Sequence, residues 1–246
     1  MAQSQTSSSA AAASSSTTCI EATFLALRAA AKFRHTAFMH GGGEWPRATE
    51  IIADFLWLGD EDDADDAEWL DDLGITHVLN CAGKAERGNT CYRLYLELDA
   101  EDDPAYDLLA KHRAASLAFL DGAATQRAAG LGLEGIEDGD EDRPPRVLVH
   151  CVAGVNRSAA IVVAYLMQYG LCAAGIGGGR EGEGGAGEGG GGEGGGGEGG
   201  GGEGKQSDPP SEALEVMDAI RHVLERRPIC FTNDSFVRQL MDLAPT

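Results

Sequence analysis

The chain reads as an α/β protein with a central, mostly parallel sheet flanked by helices. Three observations predict this. Short apolar runs of strand length alternate with segments of helical spacing along most of the chain. Such alternation makes a parallel sheet with crossover helices the expected architecture. Hydrophobic residues make up 43% of the 246 residues, enough for a real core once one glycine tract is set aside.

The elements follow in order. Residues 1–47 are a low-complexity tail rich in Ala, Ser and Thr, with one short helix expected around Ile20 to Phe33. Glu21 is the sole acid before Glu44, and Arg28, Lys32 and Arg34 are basic, a composition that resembles an organelle transit peptide. The folded domain is expected over 48–246. Ile51–Ala53 and Phe55–Leu58 read as two short strands, and Asp62–Leu73 as an acidic helix stopped by Gly74, its acids a solvated face. Thr76–Asn80 and Arg93–Leu98 are strands, Tyr106–Leu120 a helix, Val147–His150 a buried strand, and Ser158–Tyr169 an apolar helix. Ser211–Glu225 and Asp234–Leu243 are the last two helices. His77 is placed on a strand face with no ligand partner, and Trp45, Trp57 and Trp69 are read as packing residues.

Two inserts interrupt the pattern, at 124–145 and 173–207. The first is Gly-rich and acidic from Leu131 onward; the second repeats GGGGE, with Glu188, Glu193, Glu198 and Glu203 five apart. Such segments bury nothing, so they are expected to be flexible linkers.

Composition narrows the function. The formal net charge of −21, from 19 basic and 40 acidic side chains, argues against nucleic acid or an anionic membrane as partner. The longest apolar run, Ala159–Met167, is far too short for a membrane span. Six cysteines without a C-x-x-C pair or zinc spacing imply neither a disulfide scaffold nor a metal site. A cytoplasmic chain is the expectation, with a plastid or mitochondrion as the alternative through residues 1–47.

The chemistry concentrates in His150-Cys151-Val152-Ala153-Gly154-Val155-Asn156-Arg157-Ser158, between an apolar strand and a helix. A loop ending at a helix start turns backbone N–H groups inward, and with the helix dipole these make an anion cradle over Val152 to Arg157. Arg157 adds a charged fork for two phosphate oxygens, and Gly154 permits the tight path. The same field would lower the Cys151 thiol from its usual ~8.5 and leave a nucleophilic thiolate. Ser158 can donate a hydrogen bond to that sulfur, and His150 can order the loop from behind.

The stretch His150-Cys151-x-x-Gly154-x-x-Arg157-Ser158 resembles the signature loop of cysteine-based protein phosphatases. The flanks narrow the resemblance to atypical dual-specificity phosphatases: Ile51–Gly59 is similar to that family's opening hairpin, Leu73–Asn80 to its second strand, and Arg227-Pro228, Asn233, Phe236, Gln239 and Leu240 to its C-terminal pattern. The resemblance spans about Thr49 to Ala244, apart from the inserts. It implies a phosphatase fold of the dual-specificity type, a phosphoprotein substrate, a phosphocysteine intermediate, and no metal or other cofactor. A monomer is expected. The general acid should lie after the Arg93–Leu98 strand, where Asp102 fits the family register and Asp103 and Asp99 compete. In some members of the superfamily a second cysteine at the position of Cys81 traps the oxidised nucleophile. Two other functions stay open: a phosphoprotein-binding module without turnover, and an RNA 5′-triphosphatase, which the Asn156-Arg157 pair resembles. Uncharged residues inside the loop argue against an inositol polyphosphate.

Overall fold

The computed structural model describes residues 22–34, 36–37, 46–83, 94–131, 143–171 and 213–243. The second insert, half of the first (132–142), and Cys19, Trp45, Cys91 and Cys172 lie outside the described residues.

Five strands form one mixed sheet: β1 (Thr49–Ile52), β2 (Leu56–Gly59), β3 (His77–Asn80), β4 (Leu94–Glu97) and β5 (Val147–His150), in the order β1-β2-β5-β3-β4. Only β1 runs antiparallel to its neighbour. The central β5 is buried along its whole length, and side-chain alternation splits it between two cores. Val147 and Val149 enter the large core, and Leu148 joins Trp57, Leu70, Ile75 and Val78 in a smaller one on the other face.

The smaller core is covered by α2 (Glu61–Asp65) and α3 (Ala67–Asp72). The sequence predicts one helix here, and the structure breaks it at Asp66. That side chain accepts a hydrogen bond from the Trp69 amide and restarts the chain as a new helix, while Asp60 and Asp63 form a capping box at the start of α2. Asp60 and Asp63 are buried, so the acids are not all a solvated face. Burial raises the Asp63 carboxyl above its usual range, against the opposing hydrogen bonds from the Asp60 and Ala48 amides.

The large core is covered by α4 (Leu108–Ala128), α5 (Arg157–Tyr169), α6 (Val216–Arg226) and α7 (Asp234–Leu243). Helix α4 runs eight residues beyond its expected end, because Ala123 and Ala124 continue the buried stripe of Leu117 and Leu120. The stretch 124–128 is therefore helix, not the start of an insert. A further helix, α1 (residues 22–34), packs on the same core through the buried Phe24 and Ala31. Part of the 1–47 segment thus belongs to the folded body. No described helix is long and apolar enough to cross a membrane.

The parallel register brings the C-terminal ends of β2, β5 and β3 level: Gly59 lies opposite His150, and His150 opposite Asn80. Ligands of open α/β sheets bind at this edge. Asp60, Cys151 and Cys81 follow the three strand ends directly.

Candidate active site

Cys151 leaves the central strand and is almost fully buried. The chain then loops over Val152 to Asn156 and enters α5 at Arg157. Gly154 has φ +62°, and a Cβ there would stand 2.5 Å from the Gly59 carbonyl oxygen and 2.8 Å from a guanidinium nitrogen of Arg227. Both the handedness and the space demand glycine.

The loop's carbonyls are held from outside. The Val152 oxygen accepts from the Glu61 amide at 3.3 Å, the Gly154 oxygen from Arg227 Nε at 2.9 Å, and the Val155 oxygen from the Phe231 amide at 2.9 Å. Its amides meet the sulfur instead: Val155 and Ser158 backbone N–H groups act on Cys151, and Ser158 Oγ donates to Sγ at 3.2 Å. Burial alone would raise the thiol. The Ser158 hydrogen bonds, the Arg157 charge and the Val155 amide outweigh it, and the pKa falls below the ordinary value.

Arg157 is buried with Nη1 on the Ala100 carbonyl at 3.0 Å, while its Nε has no hydrogen-bond partner among the described residues. Asn156, at the N-cap of α5, makes no capping bond with its side chain. Its amide nitrogen donates to Asp102 at 3.0 and 3.3 Å, and its oxygen accepts from the Thr232 and Asn233 amides at 2.8 and 3.0 Å. Asn233 Nδ2 also donates to Asp102, at 3.0 Å. A pocket of about 360 Å³ opens above the sulfur, lined by Asp102, Cys151, Ala153, Val155, Asn156, Cys230 and others. That is within the size range of small-ligand sites.

Of the three competing acids, only Asp102 reaches this pocket. Asp103 accepts from the Ala105 amide at 2.7 Å and so serves the turn before α4, and the Asp99 carboxylate lies beside Gly83, where an added Cβ would stand 3.3 Å from its Oδ1. Val152 is exposed and does not line the pocket. His150 departs from expectation. Its ring nitrogens are buried without a hydrogen-bond partner among the described residues, and burial lowers its pKa to about 4, against smaller raising effects from the Cys151 backbone and Asp60. Its ordering contribution comes from the backbone: the His150 carbonyl accepts from the Cys81 amide at 2.8 Å.

Sequence reasoning gave no role to Arg227, although it quoted the residue. It is fully buried. Besides Gly154 it holds the Arg47 carbonyl at 3.0 Å and pairs with Asp60 at 3.7 Å, an ion pair without hydrogen-bond geometry. Phe231 adopts φ +65°, a strained conformation at the loop's edge that its amide bond to Val155 helps hold. The available signal was an arginine placed directly before the apolar run Pro228–Phe231.

Comparison with known proteins agrees with this geometry. Residues 133–174, which contain the loop, match the family model for the dual-specificity phosphatase catalytic domain. Dual specificity protein phosphatase 26 of Bos taurus is 36% identical over 139 residues, covering 54% of each chain. The stretch around the loop is thus similar to the catalytic domain of dual-specificity phosphatases. Dual specificity protein phosphatase 13B of Mus musculus is 37% identical over 153 residues, covering 59% of this chain and 65% of that one. The chain thus spans about half the length of the first relatives it matches. In fold it is similar to the crystal structure of the human tyrosine phosphatase-like serine/threonine/tyrosine-interacting protein, with a TM-score of 0.52, 22% identity, and coverage of 80% and 94% of the two chains.

Proposed function

We propose that this chain is a protein phosphatase that hydrolyses phosphotyrosine and phosphoserine or phosphothreonine through a phosphocysteine intermediate. One observation carries the reading: a thiol of depressed pKa, hydrogen-bonded to Ser158, lies in a pocket that Asp102 also lines.

The substrate phosphate enters the cradle of loop amides and Arg157, and the Cys151 thiolate attacks phosphorus in line. The P–O bond to the side chain breaks, and Asp102 protonates the departing oxygen. Water then attacks the phosphocysteine, giving its proton to Asp102, and the sulfur leaves as a thiolate stabilised by the Ser158 hydroxyl. Arg157 and the amides neutralise charge on the equatorial oxygens in both steps. Asn156 and Asn233 are positioning residues, holding the Asp102 carboxyl over the pocket in place of a mobile loop acid.

The structural neighbour named above as an interacting protein raises a binding role without turnover. The presence of Cys151 with its hydrogen-bonded Ser158 favours turnover. Phosphoprotein substrates, a monomeric state and the absence of nucleic-acid or membrane partners remain parts of this proposal. So does the cytoplasm, with a plastid or mitochondrion as the alternative. Hydrolysis of a small aryl phosphate by wild type and Cys151→Ser, with chelator present, tests the activity. Wild-type turnover lost by at least about a thousandfold in the variant is expected; turnover that survives the substitution overturns the mechanism.

A further inference from the structure

Part of the pocket wall comes from outside the region that resembles the family. Helix α1 supplies two of its lining residues, Arg28 and Lys32. They stand four positions apart, so they share one face of the helix. Phe24 and Ala31 are buried in the core and set the rotation of the helix that aims this face at the pocket.

The two cations differ in what they are free to do. Arg28 is engaged: it pairs with the Asp234 carboxylate and donates to the Thr232 carbonyl at 3.4 Å, fastening α1 to the start of α7. Lys32, one turn further on, is exposed and has no carboxylate within ion-pair distance among the described residues. The sulfur is buried at the floor, whereas Lys32 lies at the exposed rim. The rest of the lining mixes the apolar Ala153, Val155, Pro228 and Ile229 with Asp102, Asn156 and Thr232.

We propose that Lys32, held in place by the Arg28–Asp234 pair, forms a specificity site for an acidic group on the residue flanking the phosphorylated side chain. The substrate class is an acidic phosphopeptide, in which the flanking group is a carboxylate or a second phosphate. The inference deepens the proposed function and rests on it for the seat of the first phosphate. The chain's charge sharpens the argument. At −21 the molecule repels acidic peptides in general. Beyond the ~8 Å screening length at physiological salt that repulsion fades, so a preference for an acidic peptide requires a cation beside the pocket.

The test measures binding, and so does not depend on turnover. Three matched phosphotyrosine peptides, with neutral flanks, a flanking glutamate or a flanking second phosphate, are titrated by fluorescence anisotropy against the full chain carrying Cys151→Ser. The acidic peptides should bind about fivefold tighter than the neutral one. Adding Lys32→Glu should abolish or invert that preference, and Lys32→Arg should retain it. Whichever acidic arm gains more identifies the carboxylate or the phosphate as the recognised source. Equal affinity for all three peptides, or a preference that persists in Lys32→Glu, overturns the inference. A wild type that fails to hydrolyse aryl phosphate while the Lys32-dependent preference holds would overturn the phosphatase activity alone. Failure of every peptide to bind would overturn the phosphate seat and the inference with it.

Discussion

The site is built from two segments of opposite character, the loop at Cys151–Arg157 and the segment at Arg227–Asn233. The first carries the reactive groups and turns amides toward the sulfur. The second contributes no reacting group of the proposed mechanism, yet it satisfies the loop's carbonyls and fixes its acid through Arg227, Phe231, Thr232 and Asn233. An anion cradle needs converging N–H dipoles, and these converge only if the carbonyls on the other side of each peptide are satisfied elsewhere. The chemistry therefore resides in one segment and its rigidity in another, more than 70 residues away.

Breaking the reacting groups, to which Asp102 adds the proposed acid from a third segment, should have the largest effect. Asp102→Asn is expected to reduce kcat by about 10² to 10⁴, with less loss for substrates whose leaving group needs no proton. Comparing an alkyl with an activated aryl phosphate checks this; equal losses on both would place Asp102 outside proton transfer.

Breaking the supporting half should act on stability first. Arg227→Ala removes the guanidinium that holds the Gly154 and Arg47 carbonyls and pairs with Asp60 inside the fold. The expected cost is about 3 kcal/mol, measured by denaturant unfolding. Asp102→Asn should leave the unfolding midpoint nearly unchanged. If the two substitutions destabilise equally, the division of labour between the segments is wrong.

The smallest effect is graded by pH. His77 and His150 both sit in the sheet, and burial lowers each to about 4. Below the unfolded pKa of about 6.5, the unfolded chain binds protons that the folded one refuses, so stability is complete above that pH and is lost as pH falls toward about 4. Each histidine should cost about 1.4 kcal/mol per pH unit through that window. Unfolding curves at pH 7 and pH 5 should show it, and His77→Phe should remove part of the slope. A slope unaffected by that substitution would assign the acid sensitivity to other groups.

Much of this was legible in advance because it is local. The strands beside Cys151 are contiguous apolar runs, and nucleophile, arginine and hydroxyl lie within eight residues, so backbone geometry alone brings them together. Side-chain hydrogen bonds to the backbone were harder to read. Asp66 looks like one more acid on a helix face, yet it ends one helix and begins another. The tail of α4 looked like the start of an insert, since alanines at 123 and 124 are small enough to suit either a linker or a buried stripe.

The choice among Asp99, Asp102 and Asp103 depended on long-range contacts. Three aspartates within five residues look alike in composition, and although Asp102 fits the family register, only its contacts with Asn156 and Asn233 set it apart from the others.

The sequence by itself determined the fold class and the strand-loop-helix layout that holds the proposed cradle and nucleophile, because each depends on periodicity or on neighbours along the chain. Only the tertiary structure decided which of the three aspartates lines the pocket with Cys151, that Arg227 braces the loop, and that an N-terminal helix lends Lys32 to the pocket. Those relations join residues from about 50 to more than 100 positions apart, and they arise only when packing of the shared core fixes where the segments meet.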